Sequence, residues 1–156
     1  MGVPGQDAGK LASEGAGQSD DSADSERFVT VYVDAKIVGA HDAALAKNAF
    51  VGYYVERSGE HKEKPVEAYE SDDAEIHAIL FAIEELKQRF RSLRIICDHQ
   101  SVVSEANRVT VKNPSPLLVR LREVMRDNET AVRLVAIQYN LAHGTLTEYV
   151  NSRKSR

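Results

Sequence analysis

The sequence predicts an α/β domain built on a mixed five-stranded sheet, three antiparallel strands followed by parallel ones, flanked by helices. Three observations predict it. A β-branched stretch with two-residue alternation opens at Phe28, a long helical period follows from Ser71, and short apolar strands then alternate with helical segments. A chain of 156 residues holds one such domain, and no second is expected.

Residues 1–27 are rich in Gly, Ser, Asp and Ala and contain no aromatic residue, so they offer too little apolar area to offset the entropy of ordering. They are expected to be a disordered acidic tail, with the folded domain spanning 28–156. In Phe28-Val29-Thr30-Val31-Tyr32-Val33-Asp34, the valines share one face and Asp34 lies on the other, which predicts the first strand. After a polar loop, residues 49–56 are aromatic and β-branched enough for a second. Arg57-Ser58-Gly59-Glu60 supplies a hairpin turn, and 65–69 a third strand, placed at an edge by Pro65.

Ser71 is suited to a helix N-cap, and Asp72 and Asp73 to the positive end of the helix dipole. The helix is expected to reach about Phe90, burying Ile76, Ile79, Ile83 and Leu86. Glu75 falls on that same side and so faces the sheet. Leu93–Asp98 reads as an apolar strand reached by a crossover helix, hence parallel to the first. A short helix is expected over 101–108 and another, introduced by Pro114 and Pro116, to about Asp127. A last strand over 131–139 and a final helix over about 145–152 complete the order.

Charge and cysteine content limit the function classes. The tail holds six acids against Lys10 and Arg27, which accounts for the whole net charge of −4 and leaves the domain formally neutral. Arg89, Arg91, Arg94, Arg108, Lys112, Arg120, Arg122 and Arg126 could form a phosphate-tracking face, but interleaved acids make a solvated mixed surface an equal alternative. Cys97 is the only cysteine, which rules out an internal disulfide and a cysteine metal cluster. No apolar run approaches the roughly 18 residues that span a bilayer, and no signal-peptide pattern opens the chain. An intracellular, cytoplasmic monomer without membrane contact is the expectation.

Three acids stand out by position: Asp34 on the first strand, Glu75 near the start of the crossover helix, and Asp98 at the end of the parallel strand. If the two strands pair directly, these carboxylates converge. Crowded, desolvated carboxylates repel, so such a cluster requires protons or a cation. Oxygen donors suit Mg²⁺ or Mn²⁺, and the chemistry that follows from two such ions is phosphodiester hydrolysis.

At these residues the chain resembles the ribonuclease H family. The likeness rests on Val29-Thr30-Val31-Tyr32-Val33-Asp34, on Ser71-Asp72-Asp73-Ala74-Glu75-Ile76-His77-Ala78 with the Ala-Glu-x-x-Ala pattern, and on Ile95-Ile96-Cys97-Asp98-His99-Gln100-Ser101-Val102-Val103, similar to the family's Asp-Ser-Gln-x-Val segment. It implies a ribonuclease H-like fold, with Asp34, Glu75 and Asp98 as metal ligands and catalytic residues. It further implies Mg²⁺ or Mn²⁺ as cofactor and the RNA strand of an RNA/DNA hybrid as substrate, with Ser71 and Gln100 against the nucleic acid. His143, before Gly144, is similar to a mobile histidine that some members use in product release or proton transfer; an exposed loop or helix-cap residue is the alternative. His77 and His99 flank the proposed site by sequence.

The chain departs from the pattern at several places. Ala35 stands where members usually carry glycine, and Ser71 and Asp72 where they carry two asparagines. The family's C-terminal Asn-x-x-Ala-Asp aspartate has no counterpart, since no aspartate follows Asp127. Alignment through the last strand puts His143 at the asparagine and Leu146-Thr147 at the Ala-Asp pair, with Glu148 as the nearest acid and a replacement metal ligand. These departures keep open a catalytically inactive ribonuclease H-like module that binds nucleic acid or a protein, or a related nuclease or resolvase acting on other substrates.

Overall fold

The structure, a computed structural model, describes residues 28–38 and 48–154. The predicted tail and most of the loop after the first strand lie outside the described residues. The elements are β1 (Phe28–Ile37), β2 (Ala49–Val55), β3 (His61–Val66), α1 (Ser71–Leu86), β4 (Ser92–Cys97), α2 (Gln100–Asn107), α3 (Pro116–Asp127), β5 (Thr130–Leu134), a 3₁₀ turn (Ile137–Tyr139) and α4 (Leu141–Lys154). The sheet order is β3-β2-β1-β4-β5. β1–β2 and β2–β3 are antiparallel, while β1–β4 and β4–β5 are parallel, as the sequence predicts.

Alternation in β1 decides which layer each side chain enters. Val29, Val31 and Val33 are buried in the main core with Tyr53, Ile79, Ile83, Leu86 and Ile95, under α1. The opposite face of β1 and β2 is covered by α4, through a smaller cluster of Phe50, Leu146 and Val150. Asp34 lies on this second face, paired in register with Gly52. A Cβ at Gly52 would stand 3.1 Å from Glu63 Cγ, 3.3 Å from the Lys62 carbonyl oxygen and 3.6 Å from Leu146 Cδ1, so glycine is what lets α4 approach the sheet here.

Several boundaries differ from expectation, each for a local reason. β3 begins at His61 rather than at 65, because it follows directly on the expected turn, where Gly59 takes φ 75, and pairs along its length with β2. Pro65 is accommodated because β3 is an edge. Ser71 is the first residue of α1 and not its cap; Glu70 holds the cap position with extended backbone and makes no side-chain cap bond. β5 stops at Leu134, and the segment read as its continuation turns through the 3₁₀ element. α4 starts at Leu141, because the Asn140 side-chain oxygen accepts the Ala142 N–H at 3.0 Å and caps it. His143 therefore sits in the first turn of a helix. Among the described residues, no helix is long and apolar enough to cross a membrane.

Candidate metal centre

The site forms where β4 ends. β1 pairs with β4 as far as Tyr32↔Ile96, then runs on beside β2 alone. Two residues further, Asp34 and Asp98 stand side by side at the resulting notch. Glu75, carried by the helix on the other face, reaches them there, since one oxygen from each of the three carboxylates lies within 4.8 Å of the others. Asp34 and Glu75 are 6% and 4% exposed, and Asp98 is half-buried.

Burial and mutual repulsion shape the electrostatics. The Glu75 carboxyl is pushed up to about 8, first by desolvation and then by the charge of Asp34. Asp34 is also raised by burial, against the lowering effect of its bond to His143. Glu75 Oε1 lies 3.4 Å from the Cys97 Sγ, a weak donor and no counter-charge. Burial pushes the Cys97 thiol well above its ordinary range, so it remains a neutral wall of the site.

The donor set fits a hard divalent cation. On an octahedral ion with arms of about 2.1 Å, adjacent ligands lie about 3.0 Å apart and opposite ones about 4.2 Å, so three oxygens within 4.8 Å of one another need only draw together through side-chain movement to share one ion. A cation would also relieve the cost that now raises both buried carboxyls. All the donors are carboxylate oxygens, the class that suits Mg²⁺ or Mn²⁺.

Two residues near the C-terminus complete the centre. The imidazole Nδ1 of His143, on a ring half-exposed to solvent, lies 3.0 Å from Asp34 Oδ2. Asn140, 5% exposed, donates its amide to the Val33 carbonyl at 2.8 Å and to Asp98 Oδ2 at 2.9 Å. Sequence reasoning missed Asn140, which lay just beyond the end of an overlong last strand. The available signal was a cap-type residue directly before a helical segment. Asn140, rather than His143, is the buried asparagine at the head of this helix. Counted from Asn140, the family spacing sets the missing aspartate at Gly144, where a Cβ would meet nothing within 4 Å.

The remaining predicted residues lie around the notch or away from it. Ser71 is exposed at the first position of α1, with Oγ 3.3 Å from His99 Nε2. Gln100 is the exposed first residue of α2, two positions beyond Asp98. Asp72 is paired with His99 Nε2 at 3.2 Å and accepts from Ser101 Oγ at 3.1 Å, which ties its carboxylate to protein groups. Glu148 is exposed on α4 and is outside the group whose oxygens converge among the described residues. Several cations are committed within the fold: Arg89 makes a two-pronged pair with Glu60, at 2.8 Å on each arm, and Arg122 donates to the carbonyls of Glu105 and Val109.

No family model and no curated protein matches the sequence. Solved structures do. The RNase H1 of the halophilic archaeon Halobacterium salinarum superposes with a TM-score of 0.64 at 20% identity, over 80% of this chain and 98% of that one. An RNase H1 isolated from compost by a metagenomic approach gives 0.58 at 13% identity, over 80% and 99%. A foamy viral protease-reverse transcriptase, solved in complex with an RNA/DNA hybrid, gives 0.59 at 15% identity over 79% of this chain, which spans 20% of that larger protein. Sheet order, strand directions and these superpositions together show that the chain has a ribonuclease H-like fold.

Proposed function

We propose that this protein is a divalent-metal-dependent nuclease that hydrolyses the RNA strand of RNA/DNA hybrids. The observation that carries the reading is the convergence of Asp34, Glu75 and Asp98 at one notch, with two of the three carboxylates buried and short of positive charge. The likeness of fold to RNase H1 structures, and to a reverse transcriptase solved with a hybrid, supports the choice of substrate.

Asp34, Glu75 and Asp98 would hold the ion. A divalent cation bound there supplies an acidified water as nucleophile and neutralises charge at the scissile phosphate. Glu75, buried to 4% exposure and enclosed by Cys97 and the sheet, fixes one ligand oxygen rigidly. Asn140 orients Asp98 by donating to Oδ2. His143 stands at the solvent side of Asp34, with Nδ1 3.0 Å from Oδ2, where it would be placed to orient that carboxylate and to move a proton at it. Ser71 and Gln100, exposed at the heads of α1 and α2, are the groups available to a nucleic acid seated over the notch.

The test is cleavage of a labelled RNA/DNA hybrid in Mg²⁺ or Mn²⁺, with Asp34→Asn and Asp98→Asn as controls. Loss of turnover in both variants is expected, and an intact hybrid in both metals would refute the enzymatic reading. The open position at Gly144 favours a second reading, a catalytically silent hybrid-binding module. Salt-dependent hybrid binding without cleavage selects it.

A further inference from the structure

The two faces of the sheet are covered unequally. On the side of α1, Val31, Ile95 and Val132 are fully enclosed, one on each of β1, β4 and β5. On the other side α4 lies over β1 and β2, where Phe50 and Gly52 are buried, and the cover thins toward β5. Thr30 and Tyr32 are half-buried there, whereas Arg94 on β4 and Arg133 on β5 are exposed. Register sets Thr30, Arg94 and Ala131 in one row and Tyr32, Ile96 and Arg133 in the next, which lies two residues short of Asp34 and Asp98.

This uncovered half is cationic. Among the described residues Arg57, Arg94 and Arg133 form no ion pair: Arg57 donates to the Phe28 carbonyl at 2.8 Å, Arg94 lies over the Phe28 ring at 4.6 Å, and Arg133 donates to the Val132 carbonyl at 3.1 Å. Glu56, beside them, accepts from the Tyr32 hydroxyl at 2.9 Å. Phe28 stands at the foot of the face, 40% exposed, and is where the described chain begins. Immediately before it, residues 20–26 read Asp-Asp-Ser-Ala-Asp-Ser-Glu, four acids without a cation. With about 3.3 Å per residue along a strand and about 4.8 Å between strands, Arg94 lies about 8 Å from Phe28 and Arg133 about 16 Å. Seven residues span up to about 23 Å, so with one reversal before Phe28 their acids reach both arginines.

We propose that the acidic segment 20–26 docks on this uncovered half of the sheet, its carboxylates against Arg94 and Arg133, and so screens the approach to the notch from the β5 side. Exposed pairs of this kind are individually weak and are screened by salt. The tether compensates, because a short link supplies an effective concentration on the order of millimolar. A second copy of the chain would bring the same acids without that advantage. The docking stands apart from the nuclease reading of the notch; only its effect on a substrate rests on that reading.

Paramagnetic relaxation from a nitroxide at Ser22→Cys in the full chain locates the segment, since Cys97 is buried and escapes the label. Docking is expected to cut the amide signals of Ile96 and Arg133 to about half or less. His61, level with Tyr32 but two strands away on the opposite side of β1, is expected to be spared. Arg94→Glu with Arg133→Glu should restore the signals, as should about 1 M salt, where the Debye length is about 3 Å. Adding Asp20→Lys, Asp21→Lys and Asp24→Lys to that double variant should reinstate the loss. Equal attenuation of Ile96, Arg133 and His61, or attenuation that ignores the charge reversals, overturns the inference. Attenuation passed between separate molecules assigns the face to a second copy, and shifts at Arg94 and Arg133 only on adding an RNA/DNA hybrid assign it to nucleic acid; either overturns it too. Neutralising the four acids to Asn and Gln should tighten hybrid binding several-fold at low salt. Unchanged affinity strikes out the screening, while failure of either form to bind hybrid counts against the nuclease reading and leaves the docking standing.

Discussion

Asn140 and Asp98 are joined across 42 residues of sequence by a single N–H···O bond of 2.9 Å. The same amide nitrogen donates to the carbonyl of Val33, and the side-chain oxygen caps α4. One buried residue thus ties β1, the end of β4 and the last helix together behind the carboxylates.

Asn140→Ala removes all three bonds at once. It strands the Val33 carbonyl in the core and uncaps α4, for a combined cost of about 2–4 kcal/mol. Chemical denaturation should show that loss with an unchanged slope. Metal affinity should fall as well, because Asp98 is no longer held; an unaltered midpoint would refute the tie.

Glu75 sets a pH dependence with a defined sign. Its carboxyl titrates near 8 in the folded protein, against an ordinary value of 4.5. Between those values the folded state keeps a proton that the unfolded chain has released. Stability of the metal-free protein therefore falls as pH rises from about 4.5 to about 8, and levels off above, by on the order of a few kcal/mol. Asp34, also raised, adds to the fall in the same direction. Glu75→Gln removes most of the slope and should make the metal-free protein melt a few degrees higher at pH 8 while abolishing metal binding. Melting curves across this range, in chelator, check it.

The acids were legible in the sequence because each is marked by local chemistry. Asp34 breaks onto the face opposite three valines, Glu75 lies on the apolar side of a helix, and Asp98 ends an apolar strand. Strand order followed from the crossover helix. β3 was harder, since His61-Lys62-Glu63-Lys64 forms an edge strand with little apolar alternation to reveal it. The role of Asn140 and the contact between His143 and Asp34 were invisible for a different reason. The latter spans 109 residues and depends on how α4 crosses the sheet, which is fixed by packing at Gly52, Phe50 and Leu146 rather than by any local pattern.

Gly52 offers a way to move α4 without touching the site. Gly52→Val places branched carbons against the Lys62 carbonyl and Leu146, at a spot where even one Cβ is tight. Overpacking of this kind costs about 1–3 kcal/mol. Because Gly52 is the register partner of Asp34, the helix should also lift His143 away from Oδ2. The imidazole NMR signals of His143 should shift in this variant as that hydrogen bond is lost; unchanged signals would show that α4 is not positioned by this contact.

Metal and pH act on the same carboxylates, so their effects on stability must be linked. An ion that binds the folded state stabilises it by RT ln(1 + [M]/Kd), about 2.7 kcal/mol at a hundredfold excess over Kd. At pH 5 the ion must displace the proton that Glu75 retains, whereas at pH 8 half of that proton is already gone. Saturating Mg²⁺ or Mn²⁺ should accordingly raise the melting temperature more at pH 8 than at pH 5, flattening the decline seen in chelator. Calorimetric titrations in buffers of different ionisation enthalpy should record proton release on binding, larger at pH 6 than at pH 8. Release that is absent at pH 6, or a stabilisation independent of pH, would mean that the ion binds elsewhere than at Glu75.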